Sequence, residues 1–131
     1  MIFILDTSAL VEYLRGSDLG AKVNDIFKTA SNSIIIPSIV IAELSSKLSR
    51  EGKDASIIHN LLSLRDIRII NFLPTDIAIA AGHEHAVLKK TEKKISLIDV
   101  IIIKLAENLS ANILTMDHHF RHYNRTILLE K

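Results

Sequence analysis

The stretch IFILDTSAL (residues 2–10) sets an acid against the end of an apolar run. Ile2, Phe3, Ile4 and Leu5 do not alternate with polar residues, which suits a strand buried on both faces. Asp6 follows at once, at the mouth of that strand. A lone buried carboxylate costs several kcal/mol, so Asp is rarely buried without a partner. A strand of this kind, ended by an acid and followed by helical spacing at Leu10, Val11 and Leu14, is the first unit of an α/β pattern.

The rest of the chain repeats that alternation. A helix is expected from Ser8 to Arg15 with Gly16 as its stop, then a second over 19–30. Ser33 introduces a strand closed by Pro37, and Ser38 is expected to cap a helix striped by Ile41, Leu44 and Leu48. A helix over 54–64, a strand over 67–73, and a helix from Pro74 to about Lys90 follow. Ser96 begins a helix to about Leu109, and strands are expected over 112–116 and 126–129 around a helical turn at 117–122. Most strands are continuous apolar runs, so the expected fold is a three-layer α/β/α domain with a mostly parallel sheet of four to five strands. The 131 residues show no repeat or linker, and one domain over 1–131 is expected.

Composition limits the chemistry. There is no cysteine, so disulfides and thiolate metal sites are excluded. The apolar stretches SIIIPSIVIA and LIDVIIIKLA are broken by Pro37, Asp99 and Lys104 and fall short of the roughly 20 residues a membrane span needs. With no basic leader before the first apolar run, a soluble, cytoplasmic protein is expected. A net charge of +1 neither demands nor forbids a nucleic-acid partner.

Ligands of open parallel sheets gather beyond the carboxyl ends of the strands. Asp6 and Asp117 end two strands there, and either can also cap the turn that follows. Asp99 shares a helical face with Ile102, Ile103 and Ala106, and its spacing from Ser96 is that of a capping box. Glu43 lies one turn after Ile39 and Val40, with Lys47 positioned for an i,i+4 pair. Four carboxylates brought to one sheet edge repel and need compensation, which a hard divalent cation such as Mg²⁺ or Mn²⁺ supplies. Carboxylates with such an ion serve phosphodiester hydrolysis.

The set DTSAL (6–10), IVIAEL (39–44), SLIDVIIIKLA (96–106) and ILTMDHHF (113–120) resembles the PIN domain family, and more narrowly its small VapC-type toxin ribonucleases. The resemblance runs from Ile2 to Phe120. It implies that Asp6, Glu43, Asp99 and Asp117 are the catalytic, metal-binding acids, with Thr7, Ser8 and Thr115 as supporting polar residues. It also implies a Rossmann-like parallel fold, Mg²⁺ or Mn²⁺ as cofactor, RNA cleaved to a 5′-phosphate and a 3′-hydroxyl, a homodimer, and a small antitoxin partner that covers the acidic pocket. Many relatives carry a further acid in a D-x-D-F pattern, where this chain has His119.

Other readings are a non-catalytic scaffold, an RNA-processing or DNA nuclease outside a toxin pair, and a histidine zinc site. His118 and His122 have the spacing for zinc, and His83 and His85 flank Glu84, but no third ligand is evident. Arg15, Lys47, Arg50 and the lysines of KKTEKK (89–94) are candidates for phosphate contacts, as well as ordinary solvated side chains.

Overall fold

The computed structural model describes residues 1–130. In chain order its elements are β1 (Ile2–Leu5), α1 (Thr7–Arg15), α2 (Asp18–Lys28), β2 (Ser33–Pro37), α3 (Ser38–Arg50) and α4 (Ser56–Ser63). Then come β3 (Ile67–Ile70), α5 (Thr75–Leu88), α6 (Leu97–Leu109), β4 (Asn112–Thr115), a 3-10 turn (His118–His122) and β5 (Thr126–Leu128). The five strands stand in the order β3-β2-β1-β4-β5, and every pairing is parallel. Phe3 pairs with Ile34 on one side and Asn112 on the other, so β1 is the central strand.

The lack of alternation in the strands has a direct cause. Ile4, Leu5, Ile36, Ile113 and Leu114 are all fully buried, because layers of helices cover both faces of the sheet. The chain winds outward from β1 to β3 and then crosses back to β4. Right-handed crossovers put α1 to α4 on one face and α5 and α6 on the other. The packing of α1 on α2 and α3, and of α5 on α6, agrees with that division. β1 and β4 therefore flank the point where the winding reverses, the place where such sheets bind ligands. No helix among the described residues is long and apolar enough to cross a membrane.

Several boundaries differ from the sequence expectation for identifiable reasons. β3 stops at Ile70 rather than at residue 73, because its partner β2 ends at Pro37, opposite Ile70, and turns into α3. β4 stops at Thr115, since the Met116 amide donates to Ser8 Oγ instead of to a strand. Ser38 is the first residue of α3 and not its cap, a position held by Pro37 with no side-chain bond. The α1 helix begins one residue early, at Thr7, with Asp6 as its cap.

Two glycines hold α1 against α2. Gly16 ends α1 with φ 65°, in the left-handed region that glycine enters without penalty. Gly20 packs so closely on α1 that a Cβ there would lie 2.2 Å from the Glu12 carbonyl oxygen and 2.9 Å from the Tyr13 Cα. Both contacts are to backbone, which cannot swing aside. Gly20→Ala is expected to destabilise the fold by about 1–3 kcal/mol, read as a lower denaturant midpoint with the m-value unchanged; a midpoint equal to wild type would contradict the close approach.

Candidate active site

Asp6 is buried, with 6% of its surface exposed, and it is bonded on both oxygens. Its Oδ1 accepts from Ser8 Oγ at 2.8 Å and from the Ala9 amide at 3.3 Å, the second bond being the α1 cap. Its Oδ2 accepts from Thr115 Oγ1 at 2.8 Å. Thr115, with no exposed surface, sits at the end of the neighbouring strand β4. The two hydroxyls extend the network, since Ser8 Oγ accepts from the Met116 amide at 2.9 Å and Thr115 Oγ1 from the Asp117 amide at 2.9 Å. A carboxylate has about four acceptor sites, so three protein donors leave one available on Asp6 Oδ2.

These donors do not overcome the cost of burial. Desolvation pushes the Asp6 carboxyl up from 3.8 to about 6, against the lowering by Ser8, Thr115 and Ala9, and the nearby charge of Asp117 adds to the rise. Glu43 is raised for the same leading reason, with Asp99 adding its charge and the bond from Thr7 Oγ1, at 3.1 Å, opposing. The charge of Asp117 thus reaches Asp6, and that of Asp99 reaches Glu43, across the elements that carry them.

Asp99 lies in the first turn of α6, whose N-terminus is at the carboxyl edge of the sheet because α6 runs antiparallel to the strands. The capping box forms: the Ser96 amide donates to Asp99 Oδ2 at 3.0 Å, and the Asp99 amide to Ser96 Oγ at 3.1 Å. Asp117 follows β4 and caps the 3-10 turn by accepting from the His119 amide at 2.8 Å. Capping and pocket-lining therefore coexist at Asp6, Asp99 and Asp117, since a helix that starts at the sheet edge aims its first turn at that edge. Glu43 forms no ion pair with Lys47 among the described residues and bonds to Thr7 across to α1 instead.

All four acids line one cavity of about 440 Å³, together with Thr7, Ser8, Ser46, Lys47 and Arg50. Lys47 and Arg50 lie one and two turns beyond Glu43 on α3, so a basic wall adjoins the acidic floor. A larger cavity of about 540 Å³ lies between α1, α2 and α4, but its lining has no carboxylate, histidine or basic side chain. The donor set of the first cavity suits a hard divalent cation: it is rich in carboxylate oxygens and partly withdrawn from water, and two of its acids, Asp6 and Glu43, are raised in part by the charge of a neighbouring acid.

The residue missed from sequence is His119. Its Nδ1 stands 3.1 Å from Asp117 Oδ1 and 3.8 Å from Asp99 Oδ2. Asp99, Asp117 and His119 each offer one ligand atom, all within 4.8 Å of one another. The available signal was its place in DHHF, where the D-x-D-F pattern has an acid. The histidine spacing at 118 and 122 pointed elsewhere, and those two side chains part company: His118 faces Glu130 and His122 faces Glu92. Glu92 also pairs with Arg121, tying KKTEKK to the 3-10 turn. His85 Nε2 lies 3.2 Å from the Ile95 carbonyl, a local contact within the α5–α6 connection.

A parallel α/β/α sheet with a carboxylate pocket at its winding reversal is an open α/β domain whose acids stand where such sheets bind ligands. The PIN domain family model matches residues 3–125, and the chain belongs to that family. Its fold is shared with VapBC2 of Rickettsia felis bound to a promoter DNA fragment, at 25% identity, TM-score 0.74, and coverage of 98% of this chain and 97% of that one. The sarcin–ricin-loop-cleaving toxin VapC20 of Mycobacterium tuberculosis matches at 16% identity and TM-score 0.74, over 95% and 96% of the two chains. VapBC-1 of nontypeable Haemophilus influenzae matches at 22% identity and TM-score 0.68, over the full length of both. No curated protein matches the chain.

The raised Asp6 carboxyl has a thermodynamic consequence. The folded protein binds that proton more tightly than the unfolded chain, so Asp6's contribution to stability is present below pH 4 and lost as pH rises to about 6. The interval from 3.8 to about 6 corresponds to about 3 kcal/mol. Asp6→Asn is therefore expected to match or exceed wild-type stability at pH 8 in chelator, with its advantage shrinking towards pH 4. Denaturant melts at the two pH values check this, and a variant uniformly less stable at both would refute it.

Proposed function

We propose that this chain is a single-domain, metal-dependent endoribonuclease, the toxin of a VapBC-type toxin–antitoxin pair. The observation that carries this reading is the convergence of Asp6, Glu43, Asp99 and Asp117 on one cavity beside a basic wall. Membership of the PIN family and the likeness to VapC and VapBC structures support it. RNA is the proposed substrate, in line with the action of VapC20 on the sarcin–ricin loop.

In this mechanism Asp6 and Asp99 would hold Mg²⁺ or Mn²⁺, with Glu43 as a further oxygen donor. Asp117 would complete a second position or orient the attacking water. The chemistry an ion supplies in such a site is activation of water and neutralisation of charge on the phosphoryl oxygens. Ser8 and Thr115 fix the Asp6 carboxylate through its two oxygens, and Thr7 fixes Glu43, so the acids are aimed before substrate arrives. Lys47 and Arg50 receive the phosphates that flank the scissile bond, which orients the backbone without reading bases. In-line displacement yields a 5′-phosphate and a 3′-hydroxyl, and no covalent enzyme intermediate is required.

The partner in this reading is a small antitoxin with a segment that covers the acidic pocket, and the toxin is a cytoplasmic homodimer. The VapBC structures support the antitoxin. Exposed Phe72, Ile79 and Val87, on α5 and the segment before it, offer apolar surface for self-pairing. A small gene beside this one, encoding a protein that binds the chain and blocks cleavage, separates a toxin from a processing nuclease.

Asp6→Asn and Asp99→Asn are each expected to lower metal-dependent RNA cleavage by at least about a hundredfold, since bound metal contributes several kcal/mol to such transition states. Wild-type-like cleavage by both folded variants would end the proposal. Lys47→Ala and Arg50→Ala are expected to weaken RNA binding evenly across sequences, each reducing the slope of log K against log salt by about 0.7 for single strands. A sequence-selective loss with an unchanged slope would remove them from the phosphate path.

A further inference from the structure

The position of His119 bears on which ion the pocket takes, an inference that rests on the metal-nuclease reading above. We propose that His119 Nδ1 is a nitrogen ligand to an ion at the second position, which Asp117 completes beside Asp99, so that this position favours transition ions such as Mn²⁺, Fe²⁺, Co²⁺ or Zn²⁺ over Mg²⁺.

The side chain stands beside two of the pocket's acids, Asp99 and Asp117. Its backbone amide donates to Asp117 Oδ1 at 2.8 Å, and its ring nitrogen lies 3.1 Å from the same oxygen. That nitrogen is also 3.8 Å from Asp99 Oδ2, so it stands between two carboxylates carried by different elements, α6 and the turn after β4. Its neighbour His118 is two-thirds exposed, whereas the His119 side chain is 27% exposed. The turn therefore discriminates between adjacent histidines and directs one of them inward.

The separations fit ligation of a single ion. Two ligands about 2.1 Å from a common ion stand about 3.0 Å apart across a right angle and about 4.2 Å apart when opposed. Both observed distances from His119 Nδ1 fall in that interval.

Chemistry then sets the preference. Mg²⁺ demands oxygen donors in near-ideal octahedral geometry, whereas imidazole mixed with carboxylates suits the first-row transition ions. An acid at position 119, as in the D-x-D-F pattern, would add a third oxygen and a further negative charge. Histidine in that place adds a donor without charge. It softens the donor set and lessens the mutual repulsion that burial imposes on the acids.

A plain hydrogen bond from the ring to Asp117 is the competing role, and metal affinity alone does not separate the two. Loss of an outer-shell partner already weakens metal binding by about 10–100-fold. Coupling of the metal's unpaired spin to nitrogen does separate them. The experiment titrates the folded chain with Mn²⁺ by electron paramagnetic resonance and then measures electron-spin-echo modulation from ¹⁴N. Mg²⁺ affinity follows from competition against Mn²⁺.

Wild type is expected to show directly bound nitrogen, and His119→Ala to lose it while Mn²⁺ affinity drops at least about tenfold. His119→Asp is expected to lack the nitrogen signal and to lower the Mn²⁺-to-Mg²⁺ affinity ratio by at least about tenfold, so it reports even where the alanine variant does not fold. Mn²⁺ bound without nitrogen coupling, or coupling that persists in both variants, overturns the inference and leaves the carboxylate reading standing. Absence of any Mn²⁺ or Mg²⁺ binding to the folded wild type overturns both.

Discussion

The structure turns on one buried carboxylate and the two hydroxyls that grip it. Asp6 ends the central strand, Ser8 opens the helix that follows, and Thr115 ends the adjacent strand, so their bonds sew together three elements at the winding reversal. The opposing effects can be ranked. Three donors stabilise the ionised form, yet desolvation and the charge of Asp117 outweigh them, and the net effect holds the carboxyl near 6. An arrangement that only stabilised the fold would gain more from an apolar residue at this position. The acid is kept where it is costly, and the rest of the pocket is built around that cost.

Much of this was legible in the sequence because continuous apolar strands and inter-strand helices have few parallel-sheet solutions. IFIL, IIIP and NILT read as strands without tertiary information, and the acids after them fall at the sheet edge for topological reasons. Less legible were features that depend on what lies opposite. The end of β3 was set by where β2 stops, and the end of β4 by a hydroxyl more than 100 residues away. The bond from Thr7 to Glu43 in place of the expected pair with Lys47 belongs to the same kind, because it depends on how α1 meets α3.

His119 was the largest omission among candidate site residues. Sequence spacing paired His118 with His122 as zinc candidates, since a helical reading puts residues 118 and 122 on one face, and it left His119 only as the residue in the place of an acid. A 3-10 turn has three residues per turn and eclipses i with i+3 instead. That change of period sends the three histidines to three separate partners, Glu130, the Asp99–Asp117 pair and Glu92.

The pairing of β1 with β4 also sets a rule about time. The bond between Thr115 and Asp6 joins residues 109 positions apart. Contacts so distant in sequence bring loop-closure entropy before any reward, and they delay folding accordingly. A chain that ends before residue 112 has Asp6, Glu43 and Asp99 but neither β4 nor the second of the two hydroxyls that hold Asp6, that of Thr115. The pocket therefore assembles only after β4 has been made, and a shorter fragment carries three of the acids without the site that holds them.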